Sequence, residues 1–143
     1  MIDPVRKKKW TAPITSLPVA LQEQLKSTNM QYYQVGKYLY LFGGYGYSAT
    51  LGDHTTFPNM VAIDVPTTID AIIANTAVSA YFRQISDPQF QVTGGSVEKI
   101  KNTFYLVGGQ KFIGRYNPMG PDHGPGFEQV YTNQIRKFNL TDN

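Results

Sequence analysis

The feature that most constrains this chain is an internal echo: Lys37-Tyr-Leu-Tyr-Leu-Phe-Gly-Gly44 returns 65 residues later as Asn102-Thr-Phe-Tyr-Leu-Val-Gly-Gly109. Self-similarity at a long spacing marks one supersecondary unit used twice. A short apolar run ending in Gly-Gly reads as an inner strand buried on both faces. The glycines permit positive φ and close backbone approach at the corner. Each run follows a plausible partner strand, residues 29–35 in the first copy and 90–98 in the second. Two hairpins are therefore predicted.

Downstream of each Gly-Gly, the alternating segments Met60-Val-Ala-Ile-Asp-Val65 and Ile135-Arg-Lys-Phe-Asn-Leu140 predict a third strand with one packed face. Ile63 then corresponds to Phe138 and Val65 to Leu140. A fourth strand is predicted from Tyr81-Phe-Arg-Gln-Ile85, and its aromatic, three residues, aliphatic spacing also occurs at Trp10 and Ile14. The order is a fourth strand near residues 9–15, a full set over 29–86, and an incomplete set over 90–140. Two short helices are expected as insertions. One spans residues 16–25, with Ser16 as cap, an early Pro18 and apolar Leu21 and Leu25; the other spans 68–74, with Ile69, Ile72 and Ile73 along one side. Composition agrees with an all-β chain: 16% charged residues, 13% aromatic, 13 Gly and 9 Pro favour short strands joined by turns.

Four-stranded units with Gly-Gly after the second strand, and an aromatic four residues before an aliphatic in the fourth, resemble the kelch-repeat β-propellers. More narrowly, Leu-Phe-Gly-Gly-Tyr-Gly-Tyr47, Ala62-Ile-Asp-Val65 and Val92-Thr-Gly-Gly95 resemble bacterial kelch-repeat proteins, often exported, whose blades carry inserted helices of this kind. The resemblance implies a kelch-type β-propeller segment, with residues 1–143 forming a single partial propeller of about two four-stranded blades. Such rings hold about four to eight blades. Two blades leave apolar flanks open, so the expected partners are other copies, or further segments, that complete a ring. The exported habit of the resembling proteins implies a periplasmic or extracellular location.

Alternate turns of an antiparallel meander lie at opposite ends, so the loops after the second strands share one face. Those loops, residues 45–57 and 110–129, hold the candidate ligand-binding residues Tyr45, Tyr47, Asp53, His54, Arg115, Tyr116, Asn117, Asp122 and His123. Tyr and Arg suit a sugar or a peptide by stacking and hydrogen bonding, and long surface loops are where binding residues concentrate. The two Asp-His pairs are competent metal ligands, but no spacing fixes them on one rigid element. Asp capping a turn and His in solvent is the expected arrangement, with no metal site and no cofactor.

Catalytic readings find no support. Ser96 follows Gly94-Gly95 but lacks the G-x-S-x-G elbow, and the Gly-rich stretches lack the strand, loop and helix order of phosphate binding. Arg83 and Glu98 read as solvated or paired strand residues. The absence of Cys removes disulfides, thiolate ligands and a Cys nucleophile, and with them the Tyr-Cys copper-radical chemistry of related oxidases. The net charge of +3 comes from Arg6, Lys7, Lys8 and Lys9; without them nine basic residues face ten acidic ones. One local run does not make a nucleic-acid surface, and no apolar stretch is long enough for membrane insertion. The expected function is a binding or scaffolding module for protein or glycan ligands. The alternatives are an epimerase-like carbohydrate enzyme and a purely structural ring segment.

Overall fold

The structure, a computed structural model, describes residues 2–116 and 127–140. The described residues are mostly β, arranged in four antiparallel sheets, with two α-helices. In chain order the elements are β1 (Ile2–Asp3), β2 (Lys8–Lys9), α1 (Val19–Leu25), β3 (Gln31–Val35), β4 (Tyr38–Phe42), β5 (Tyr45–Ser48), β6 (Asp53–Thr56), β7 (Asn59–Asp64), α2 (Val65–Ala74), β8 (Phe82–Ser86), β9 (Ser96–Ile100), β10 (Thr103–Val107), β11 (Gln110–Ile113), β12 (Glu128–Tyr131) and β13 (Ile135–Phe138).

The predicted repeat forms two equivalent units. The first is the sheet β3-β4-β7-β8 and the second is β9-β10-β13. Their registers match residue for residue: Val35 faces Tyr38 as Ile100 faces Thr103, and Phe42 faces Met60 as Val107 faces Ile135. The backbone repeats too. Positive φ occurs at Gly43 and Gly44, and again at Gly108 and Gly109; Asn29 corresponds to Gly94, and Gly36 to Lys101. Each unit is also led in by a threonine bridged to the residue after Gly-Gly, Thr28 to Tyr45 and Thr93 to Gln110.

Because side chains alternate along a strand, each unit has two flanks. Tyr33, Val35, Tyr40, Phe42, Met60 and Ala62 of the first unit pack against Val97, Phe104, Leu106 and Phe138 of the second. The rings of Phe104 and Phe138 stack at 5.5 Å, and Phe42 lies 5.4 Å from Phe138. This aromatic layer is the main core. On the opposite flank of the first unit, Leu41, Val61, Ile63 and Phe82 of β4, β7 and β8 pack against Ile14, Leu17, Leu21, Ala71, Ile72 and Val78, so both inserted helices are packing devices. Gln24 of α1 is fully buried; its amide donates to the carbonyls of Gly43 (3.2 Å) and Asn59 (2.9 Å) and its oxygen accepts from Gln84 (2.9 Å). A buried amide so fully satisfied fixes the helix against the strand ends.

Four sequence expectations change. Of the strand expected over residues 9–15, only Lys9 lies in a ladder, opposite Ile2, and Ile14–Ser16 is a single 3-10 turn. Pro13 has no N–H to give a ladder, and the Asp3 carboxylate accepts from the N–H groups of Val5 and Arg6 to close the first hairpin. Ser16 does not cap α1: its hydroxyl donates to the Pro13 carbonyl at 2.8 Å, and the helix starts after Pro18. Phe90 belongs to the 3-10 turn Pro88–Phe90 rather than to β9, buried beside Phe42 at 5.7 Å. The second expected helix is longer than predicted: Val65–Ala74, capped by Asp64 accepting from the Thr67 N–H and ended at Asn75 with φ of 54°.

Candidate functional site

The segments after each Gly-Gly are strands. Tyr45-Gly-Tyr47 and Gln110-Lys-Phe112 alternate polar or small residues with large ones, which suits a pleat exposed on one side. β5 and β6 form a hairpin, β11 and β12 form another, and Ile113 opposite Thr55 joins them in the order β12-β11-β6-β5. The joined sheet bridges the two units.

Tertiary contacts hold this sheet in place. The Glu23 carboxylate on α1 accepts from the Ser48 hydroxyl (2.8 Å), the Thr50 N–H (3.0 Å) and the Thr50 hydroxyl (2.9 Å), which secures the β5–β6 turn. Burial pushes the Glu23 pKa up, but these hydrogen bonds outweigh it and hold the carboxyl below its usual value. At the seam, the buried Thr56 hydroxyl accepts from the Phe112 N–H (2.8 Å) and donates to its carbonyl (3.2 Å). The Gly114 N–H donates to the His54 carbonyl at 2.8 Å.

Register places Tyr45, Tyr47, His54 and Thr56 on one face, continued by Phe112 and Gln129 across the seam. The rings form a chain: Tyr47 to His54 at 5.4 Å, His54 to Tyr45 at 5.9 Å, Tyr45 to Phe112 at 5.3 Å, Phe112 to Phe127 at 5.4 Å, and Phe127 to Tyr116 at 5.1 Å. Tyr45 is the hinge of the arrangement. Its hydroxyl donates to the Gly114 carbonyl (2.7 Å) and accepts from the Tyr116 N–H (3.0 Å), so it positions the loop carrying Arg115 and Tyr116. Tyr47 and Tyr116 remain 54% and 53% exposed at the two ends of the layer.

Of the candidate residues, Tyr45, Tyr47, His54 and Tyr116 thus come together, and Arg115 lies exposed beside Tyr116. Asp53 does not join them. It sits one residue out of phase with His54 in β6 and accepts from the His54 N–H at 2.7 Å, while His54 is half-buried against Tyr45 and Tyr47 rather than in solvent. Asn117, Asp122 and His123 lie outside the described residues. Sequence reasoning missed Phe112 and Phe127. Phe112 stands 65 residues after Tyr47, so carrying the repeat past Gly-Gly would have found it.

Among the described residues, no three His, Cys, Asp or Glu side chains gather as a metal-binding group, and no helix is long and apolar enough to cross a membrane. No protein-family model matches the chain, and no curated protein matches it.

Proposed function

We propose that this chain is a partial propeller of the kelch type, acting as a binding or scaffolding module. The two units are its blades, and other copies complete the ring. The observation that carries the binding role is the aromatic layer on the bridging sheet: exposed Tyr47, beside His54, and exposed Tyr116 stand at its two ends on a strand frame locked by Tyr45, Thr56 and Glu23. Amphipathic rings held in fixed positions lose little entropy on binding, and their faces suit sugar rings or peptide side chains while hydroxyl, imidazole and guanidinium groups supply hydrogen bonds.

The test is a titration of the protein with soluble oligosaccharides and with peptides, followed by backbone amide shifts. The expected outcome is perturbation centred on residues 45–56 and 110–116, with Tyr47→Ala and Tyr116→Ala each weakening binding about tenfold or more. Val19→Ala, on the exposed side of α1, should leave it unchanged. A titration in which neither ligand class moves those amides overturns the proposal.

A further inference from the structure

The first hairpin gathers the chain's excess positive charge and holds apolar side chains in water beside it. Asp3-Pro4-Val5-Arg6 is a turn sequence: the Asp3 carboxylate accepts from the N–H groups of Val5 (3.0 Å) and Arg6 (2.9 Å), and Pro4 presets φ at the second place. Lys7 then takes φ of 53°, and the chain returns with Lys8 opposite Asp3 and Lys9 opposite Ile2. Arg6, Lys7, Lys8 and Lys9 are all exposed. Among the described residues the hairpin's one ion pair is Arg6 with Asp3, at 3.9 Å. Elsewhere in the chain the charges nearly cancel, nine basic residues against ten acidic ones counting Asp3. The positive field is therefore concentrated on this one projection.

The same turn leaves Val5 89% exposed, the highest value for a large apolar side chain among the described residues, and Ile2 is 71% exposed. From the tip of a hairpin Val5 contributes nothing to the core. An apolar side chain ringed by cations matches one kind of surface well, in which anionic groups lie outermost and hydrocarbon lies just beneath them.

We infer that the Ile2–Lys9 hairpin docks this chain on an anionic lipid surface, with Arg6, Lys7, Lys8 and Lys9 among the headgroups and Val5 at the boundary with the acyl chains. A nucleic acid would satisfy the cations, but its phosphates offer the Val5 tip no apolar phase. So short a hairpin binds peripherally and reversibly rather than spanning the bilayer. Its attraction weakens with salt, because exposed charges are screened beyond about 10 Å at 0.1 M and about 3 Å at 1 M. The hairpin is separate from the bridging sheet, so this role is independent of the aromatic layer.

Cosedimentation of the full chain with vesicles tests the role, using phosphatidylcholine alone or with about 30% phosphatidylserine, at about 50 mM and about 500 mM salt. Affinity for the serine-containing vesicles should exceed that for neutral ones by about 100-fold or more at low salt, since each basic residue near an anionic surface contributes about fivefold, and most of the excess should vanish at high salt. Combining Lys7→Glu with Lys8→Glu should remove about 100-fold or more of the affinity. Val5→Ser keeps every charge; it should weaken vesicle binding about three- to tenfold and leave binding to a short DNA duplex unchanged. Val19→Ser, at an exposed apolar residue of α1, should change neither. The replaced side chains are exposed, so every variant should melt with the wild type, and the headgroup and salt comparisons need no variant at all. Equal binding to both kinds of vesicle, or binding to neither, overturns the inference. So does a Val5→Ser chain that binds vesicles like the wild type. A DNA duplex bound more tightly than the serine-containing vesicles overturns it as well, and assigns the hairpin to nucleic acid.

Discussion

The corners at Gly43-Gly44 and Gly108-Gly109 are built from the same dipeptide with nearly the same backbone, yet they sit in different surroundings. Gly43 has φ of 63° and Gly108 φ of 64°. A Cβ on Gly43 would run into the Val92 carbonyl oxygen, since the lead-in to the second unit passes directly over that corner and Val92 accepts from the Gly44 N–H. A Cβ on Gly108 would meet nothing within 4 Å. Local sequence sets the turn in both places, but only in the first does a neighbouring unit close over it. The two corners thus differ in what packs over them, while the sheets differ in strand number, four in the first unit and three in the second among the described residues.

The comparison is most exposed to attack at the flanks. Phe42→Ala removes a fully buried ring in contact with Phe90, Phe104 and Phe138, and is expected to destabilise by about 3–5 kcal/mol. Its counterpart Val107→Ala, partly exposed, should cost about 1 kcal/mol or less in the isolated chain. Denaturant unfolding of both variants measures the difference, and equal costs would break the claim that only one flank is covered.

The corners offer a second, smaller contrast. Gly43→Ala adds a left-handed backbone penalty to a clash with backbone, about 2–4 kcal/mol together, whereas Gly108→Ala carries the backbone penalty alone, about 1–2 kcal/mol. Melting the two side by side reads the gap. A Gly108→Ala variant as unstable as Gly43→Ala would mean that its corner is closed over as well.

The smallest expected effect is electrostatic and sharpens the role of α1 in holding the bridging sheet. Glu23 has a folded pKa below its unfolded value, so its stabilising contribution is present above the unfolded pKa and is lost as pH falls through the lower folded value. Glu23→Gln should therefore melt below the wild type at about pH 7 and converge with it as the pH falls through the folded pKa. A gap that persists in acid would assign the effect to packing rather than to the carboxylate.

Much of the fold was legible because inner strands carry their own evidence. The runs ending at Phe42 and Val107 coincide with β4 and β10 as predicted, but the expected burial on both faces fails for β10, which buries Phe104 and Leu106 and leaves Val107 exposed. The aromatic-aliphatic spacing at Trp10 and Ile14 had no such support: two matching positions do not supply the missing amide of Pro13, and the chain turns into a 3-10 helix at Ile14. The candidate site was half legible. Tyr45, Tyr47, His54 and Tyr116 were chosen for their chemistry, but Phe112 and Phe127, which knit them together, look like ordinary apolar residues in a loop.

By itself, the sequence determined the repeated unit, its inner strands, the positive-φ corners and the two inserted helices, because each depends on residues within one turn or one strand of each other. Tertiary structure alone decided that the two excursions after Gly-Gly pair into one bridging sheet, with Ile113 opposite Thr55 and the Tyr45 hydroxyl reaching Gly114 and Tyr116. It also decided which flank of each unit is covered. Strand partners and covered faces are chosen by what lies across space once the chain has folded back, and nothing in the spacing of Tyr45 and Phe112 along the chain records that their rings stand 5.3 Å apart.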